Sequence, residues 1–146
     1  MEKFKFRLQK VLDIKLKNEE ESKLKYTQAQ SKKRTVEQSL SNLQLSYNKH
    51  SDISNIKDVI TQKITINYLS SLTQSIKSTA EQLEKETIKV KEAKDDFIEK
   101  QIERKSLEKL KESKIEKLKK EEERKEQIIN DEFALYAFIR NRVELA

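Results

Sequence analysis

The sequence predicts an all-α protein, an antiparallel two-helix coiled-coil hairpin with a longer second helix, on three observations. None of its 146 residues is glycine or proline, where average usage would supply roughly 17 of them. In a helix interior glycine costs about 1 kcal/mol and proline about 3 relative to alanine, so a chain without either is suited to continuous helix. Hydrophobic residues make up 34% and charged residues 40%, too little apolar surface for a globular core of this size but enough for a thin seam. Finally, apolar residues recur every 3.5 positions in two separate stretches, the signature of helices that bury one narrow stripe against each other.

Helix one is expected over about residues 5–50. Its stripe runs Leu8, Leu12, Lys15, Glu19, Ser22, Tyr26, Ala29, Lys33, Val36, Leu40, Leu43, Tyr47 and His50. Eight of these thirteen are apolar or aromatic, against five of the thirty residues between them, and the stripe is worn through at Lys15, Glu19 and Ser22. The turn is expected near residues 50–57. From Ser39 to Ala80 there are thirteen Ser or Thr and only six charged residues. Within that stretch Ser51, Asp52, Ser54 and Asn55 are cap and turn formers, and Asn55 with Asp58 resembles a capping box.

Helix two is expected over about residues 58–142. Its stripe, Leu69, Leu72, Ile76, Thr79, Leu83, Glu86, Val90, Ala93 and Phe97, is apolar at seven of nine positions, against two of the twenty between. Helix one would be roughly 70 Å long and helix two roughly 125 Å. A short turn makes the two antiparallel and sets Lys5 level with a residue near 103, leaving nearly forty residues of helix two without a partner. That free part begins in a stretch, residues 99–127, in which twenty of twenty-nine residues are charged. Glu and Lys or Arg spaced three and four apart support a solvated helix at about 0.2–0.5 kcal/mol per pair, and the same pattern would suit the outer face of a longer bundle.

Apolar residues return after it, in Ile128, Ile129, Phe133, Leu135, Tyr136, Phe138 and Ile139. Such a patch marks a contact site, unless it self-associates or the Phe4 and Phe6 segment folds against it. At the end of the hairpin remote from the turn, Phe4, Phe6, Leu8 and Val11 would therefore meet Phe133, Leu135, Tyr136, Phe138 and Ile139, beside Arg7, Arg140 and Arg142. At the turn end, Leu40, Leu43 and Tyr47 lie near Tyr68, Leu72 and Ile76; most of these are seam positions, so core packing comes first for them.

Chemistry has little footing. There is no cysteine and one histidine, which removes thiolate and paired-histidine zinc sites. Without glycine there is no phosphate-cradling loop. No catalytic, cofactor or metal site and no small-molecule substrate are expected, and His50 reads as a polar residue near the turn. The formal charge of +6 comes from 32 basic and 26 acidic residues that are interspersed, unlike the concentrated basic face of a nucleic-acid reader. The basic, aromatic N-terminal segment has a short apolar face that would suit an anionic membrane surface. With no secretory signal or spanning segment apparent, a cytoplasmic location is expected.

The opening Phe4-Lys5-Phe6-Arg7-Leu8-Gln9-Lys10-Val11-Leu12, followed by Lys15, Lys17 and Glu19-Glu20-Glu21, resembles the N-terminal signature of the flagellar export protein FliJ family. Tyr68-Leu69 with Leu72 and Ile76, and Asp131-Glu132-Phe133-Ala134, resemble it more weakly. The resemblance implies a single hairpin over residues 1–146, similar to the central stalk subunit of rotary ATPases. It implies an export ATPase hexamer, a transmembrane export gate protein and export chaperones as partners, and peripheral association with the cytoplasmic face of the membrane. The ATPase would face Phe4, Phe6, Arg7, Leu8, Val11, Phe133, Leu135, Tyr136, Phe138, Ile139, Arg140 and Arg142, and the gate Leu40, Leu43, Tyr47, Tyr68, Leu72 and Ile76. A generic structural coiled-coil scaffold or spacer remains the alternative.

Overall fold

The computed structural model describes residues 4–145, which form two helices, α1 (Gln9–His50) and α2 (Val59–Leu145), with no strand among the described residues. The helices pack against each other as a hairpin. Cα packing divides the chain into two compact units, Met1–Lys15 with Ile102–Ala146, and Leu16–Gln101.

In the Leu16–Gln101 unit the pairing is antiparallel. Ser22 Oγ donates to Asp96 Oδ2 at 3.1 Å, the Tyr26 and Phe97 rings stack at 6.3 Å, and the His50 ring meets Tyr68 edge-on at 5.3 Å. The expected stripes are the observed ones. All nine α2 positions from Leu69 to Phe97 are buried or half-buried, as is every α1 position from Leu8 to Tyr47. The positions that looked worn are closed by polar contacts instead: Ser22, 5% exposed, makes the bond to Asp96. Between the stripes Leu24, Leu45 and Ile88 are more than half exposed, so apolar character alone does not decide burial; the 3.5 period does.

The connection spans residues 51–58, and its capping differs from the Asn55 and Asp58 reading. Asp58, not Asn55, caps α2: its carboxylate accepts from Ile60 N at 3.2 Å and from Thr61 Oγ1 at 2.9 Å. Asp52 organises the loop by accepting from the Ser54 backbone and from Asn55 Nδ2, and Gln62 Nε2 donates to the Ile56 carbonyl. His50 meets Tyr68 rather than the first residue of α2, so α2 has run for more than two turns before α1 comes alongside. The loop covers that stretch through half-buried Ile53 and Ile56, while Val59, Ile60 and Ile64 stay exposed.

That offset corrects the expected register. In the other unit Lys15 Nζ bonds Glu103 at 2.9 Å and Lys111 Nζ donates to Gln9 Oε1 at 2.7 Å, so residue 103 sits opposite Lys15 and not Lys5. The unpaired part of α2 is correspondingly shorter and starts beyond Lys114. From Glu112 to Glu144 every side chain is exposed except half-exposed Glu122. Helix one also starts later than expected, at Gln9, because no Ser, Thr, Asp or Asn precedes it as a cap and because Phe6 turns inward.

Leu12 is 3% exposed and Leu24 is 59% exposed on the same helix. Leu12→Ala should therefore cost about 2–3 kcal/mol in thermal unfolding followed by circular dichroism, and Leu24→Ala no more than about 0.5.

Candidate functional site

Among the described residues no group of His, Asp and Glu could hold a metal, and no helix is long and apolar enough to cross a membrane. What the chain offers a partner is helix surface, and each residue singled out from the sequence can now be placed on it.

The N-terminal segment folds onto α2. Gln9 N donates to the Phe6 carbonyl at 3.1 Å, forming the turn into α1, and Phe6 is 7% exposed with Lys114 Nζ 5.7 Å above its ring. A lysine over an aromatic face is worth about 0.5–1 kcal/mol at a partly exposed site. Gln9 continues the clasp, donating to Asp13 and accepting from Lys111. Phe6 is thus an intramolecular anchor, packed beneath Lys114 of α2. Leu8 is half-buried in the seam, whereas Phe4, Arg7 and Val11 remain at the surface, Phe4 and Arg7 beside Lys111 along one groove.

The C-terminal residues behave differently. Phe133, Leu135, Tyr136, Phe138 and Ile139 are all at least half exposed, as are Ile129 and Val143, with Arg140 and Arg142 exposed among them. Phe6 reaches α2 at Lys114, well short of Ile128, so the idea that the N-terminal aromatics cover this patch does not hold. Arg140 Nε pairs only at 4.0 Å, with Glu144. At 100° per residue the apolar side chains of residues 128–143 span roughly 220° of the helix, about twice the stripe that one neighbouring helix covers.

At the turn end Leu72 is buried and Leu40, Leu43, Tyr47 and Ile76 are half-buried in the seam, leaving Tyr68, 45% exposed, as the one residue of that set at the surface. The exposed isoleucines beside it, Ile60 and Ile64, extend its face by successive steps of four. Sequence reasoning passed over them because they lie outside the Leu69–Phe97 stripe, although their four-residue spacing to Tyr68 was available. It also read His50 simply as a polar residue near the turn, and the ring contact with Tyr68 depends on a register that only the structure reveals.

Replacing Phe6 by Ala should release the clasp without melting the hairpin: amide exchange over residues 5–12 should accelerate at least about tenfold, the factor matching ~1.4 kcal/mol of lost burial. Exchange over residues 36–47 should not change.

Comparison with known proteins gives one result. No curated protein and no solved structure yields a significant match. The family model described as "Flagellar FliJ protein" matches residues 4–143, nearly the whole chain, including the clasp, the seam and most of the exposed C-terminal segment. The chain therefore belongs to the FliJ family, components of the flagellar protein-export apparatus.

Proposed function

We propose that this protein is a non-enzymatic component of the flagellar type III export apparatus that binds the export ATPase hexamer through the end carrying the α2 C-terminus. In the same reading it meets the export gate protein or export chaperones through the turn-proximal face. The observation that carries the first half is the width of the apolar surface on residues 128–143. An isolated helix that is apolar over more than half its circumference is suited to burial on several sides at once, as in the central hole of a ring. Desolvation there would contribute about 25 cal/mol per Å² of apolar area, and Arg140 and Arg142 would supply charge-assisted bonds to carboxylates lining the hole. Phe4 and Val11 are the N-terminal apolar residues that remain exposed for such a contact.

Tyr68, with Ile60 and Ile64, supports the second contact, since an aromatic with a polar tip next to aliphatic anchors is the usual content of an interface. Tyr47, half-buried beside them, is its secondary candidate. The position of the protein is then cytoplasmic and peripheral to the membrane by way of its partners. A self-associating scaffold is the second reading, favoured by the same wide apolar stripe. It requires concentration-dependent oligomers in sedimentation, which the ATPase-bound reading does not.

Ending the chain after Gln127 removes the apolar segment and leaves every cross-seam contact described above. That truncation should keep the helical signal and melt within a few degrees of the full chain while losing binding to, and stimulation of, the cognate export ATPase. Full stimulation by the truncated protein would remove this segment from the mechanism. Tyr68→Ala should weaken capture of the export gate protein or of a chaperone with helicity preserved, and unchanged capture of both would refute the turn-end contact.

A further inference from the structure

Basic and acidic residues are interspersed along this chain, and Lys15, Lys33, Arg104 and Lys120 each reach a carboxylate. The groove between the N-terminal segment and α2 departs from that mixture. Lys5, Arg7, Lys10 and Lys111 line it together with Phe4 and Phe6, and the described residues that line it include no acid. Among the described residues none of these four cations pairs with a carboxylate; Lys111 spends its bond on the neutral amide of Gln9.

The floor of the groove is fixed. Phe6 is 7% exposed, and Gln9 N bonds its carbonyl at 3.1 Å, which turns the segment into α1. The 2.7 Å bond to Gln9 holds the Lys111 ammonium half-buried beside the segment, and Lys114 brings a fifth positive charge to 5.7 Å from the centre of the Phe6 ring. Charges of one sign gathered in a cleft with an aromatic wall reinforce each other's field outward. Lys5, Arg7 and Lys10 remain exposed, and Phe4 at the rim is 37% exposed.

We propose that this groove binds an acidic segment of a partner protein, a short run of Asp or Glu that also carries an apolar side chain. The carboxylates accept charge-assisted bonds from Arg7 and the lysines, and the apolar side chain packs on Phe4. Recognition of an acidic motif by clustered cations is a recurrent mode of peptide binding. A broad anionic membrane or a long nucleic-acid backbone suits the surroundings less: α2 runs on through residues 112–127, which hold six acidic and six basic residues and are nearly all exposed. An extended polyanion would meet those carboxylates, and a segment of a few residues would not. The contact uses the clasp rather than residues 128–143, so it stands or falls separately from any contact of the α2 C-terminus.

The test titrates the full chain into a fluorescein-labelled hexaglutamate peptide with a central leucine and follows anisotropy. A short single-stranded oligonucleotide and vesicles of equal parts phosphatidylserine and phosphatidylcholine serve as phosphate-bearing probes. The peptide should bind, more weakly as salt is raised. Lys5→Glu, Arg7→Glu and Lys10→Glu together should weaken it at least about tenfold. The same reversal at Lys117, Lys119 and Lys125 changes the net charge equally and should weaken it less than about twofold. Phe6→Ala keeps every charge but releases the floor, and should weaken it at least about fivefold; this variant decides the matter where the triple reversal at the groove disturbs folding. Absence of peptide binding, equal losses in the two triple variants, or full affinity in Phe6→Ala overturns the proposal. Tighter binding of the oligonucleotide or the vesicles than of the peptide, through the same residues, overturns it in favour of a phosphate-bearing partner.

Discussion

Everything in this structure depends on one narrow apolar seam. A chain with so few hydrophobic residues cannot build layers, and the only burial available is between two helices along a 3.5-residue stripe. From that constraint follow the absence of glycine and proline, either of which would interrupt the stripe, and the tolerance for polar residues within it. A seam one side chain wide leaves its flanks near water, so Lys15 and Ser22 can occupy it provided that Glu103 and Asp96 face them. The same constraint leaves most of the helix surface open to solvent, at the C-terminal end of α2 and beside Tyr68 among other places.

The seam itself was legible residue by residue in the sequence, down to polar positions such as Glu19 and Thr79, because helical periodicity is a local property that needs no knowledge of the partner. The features that escaped are those set by the partner. The expected pairing of Lys5 with residue 103 assumed a tight, symmetrical turn, and the extra turns of α2 before Tyr68 cannot be deduced from the composition of residues 51–58. Phe6 looked like the neighbouring Phe4, and nothing local separates a buried aromatic from an exposed one two positions away; the difference is Lys114, distant in sequence and adjacent in space. Of the candidate surfaces, the C-terminal patch was readable as an apolar run without a partner, whereas at the turn end most of the named residues serve the seam and the exposed face passes instead through Ile60, Ile64 and Tyr68.

Family membership and physical reading support each other here without being the same argument. The family match places the chain in flagellar protein export. The side chains add a helix end that is apolar on more than one side and exposed, preceded by a strongly charged stretch. In that stretch Glu116 pairs with Lys120 at 3.4 Å, both well exposed. Such pairs are individually weak, so it is their number along the helix that would keep it intact where no neighbour covers it.

The sequence separations across the hairpin also imply an order of assembly. Ser22 and Asp96 are 74 residues apart, Lys15 and Glu103 88, and Gln9 and Lys111 102, so each contact farther from the turn closes a longer loop. Closing it from the open chain is slower and entropically costlier than adding it to a pairing already under way. The turn-proximal rungs, where Leu69 and Leu72 are buried, are the natural nucleus, and the helices would close like a zipper drawn from that end. The Phe6 clasp is then the final closure, and during synthesis the earliest-made residues would wait longest for their partner.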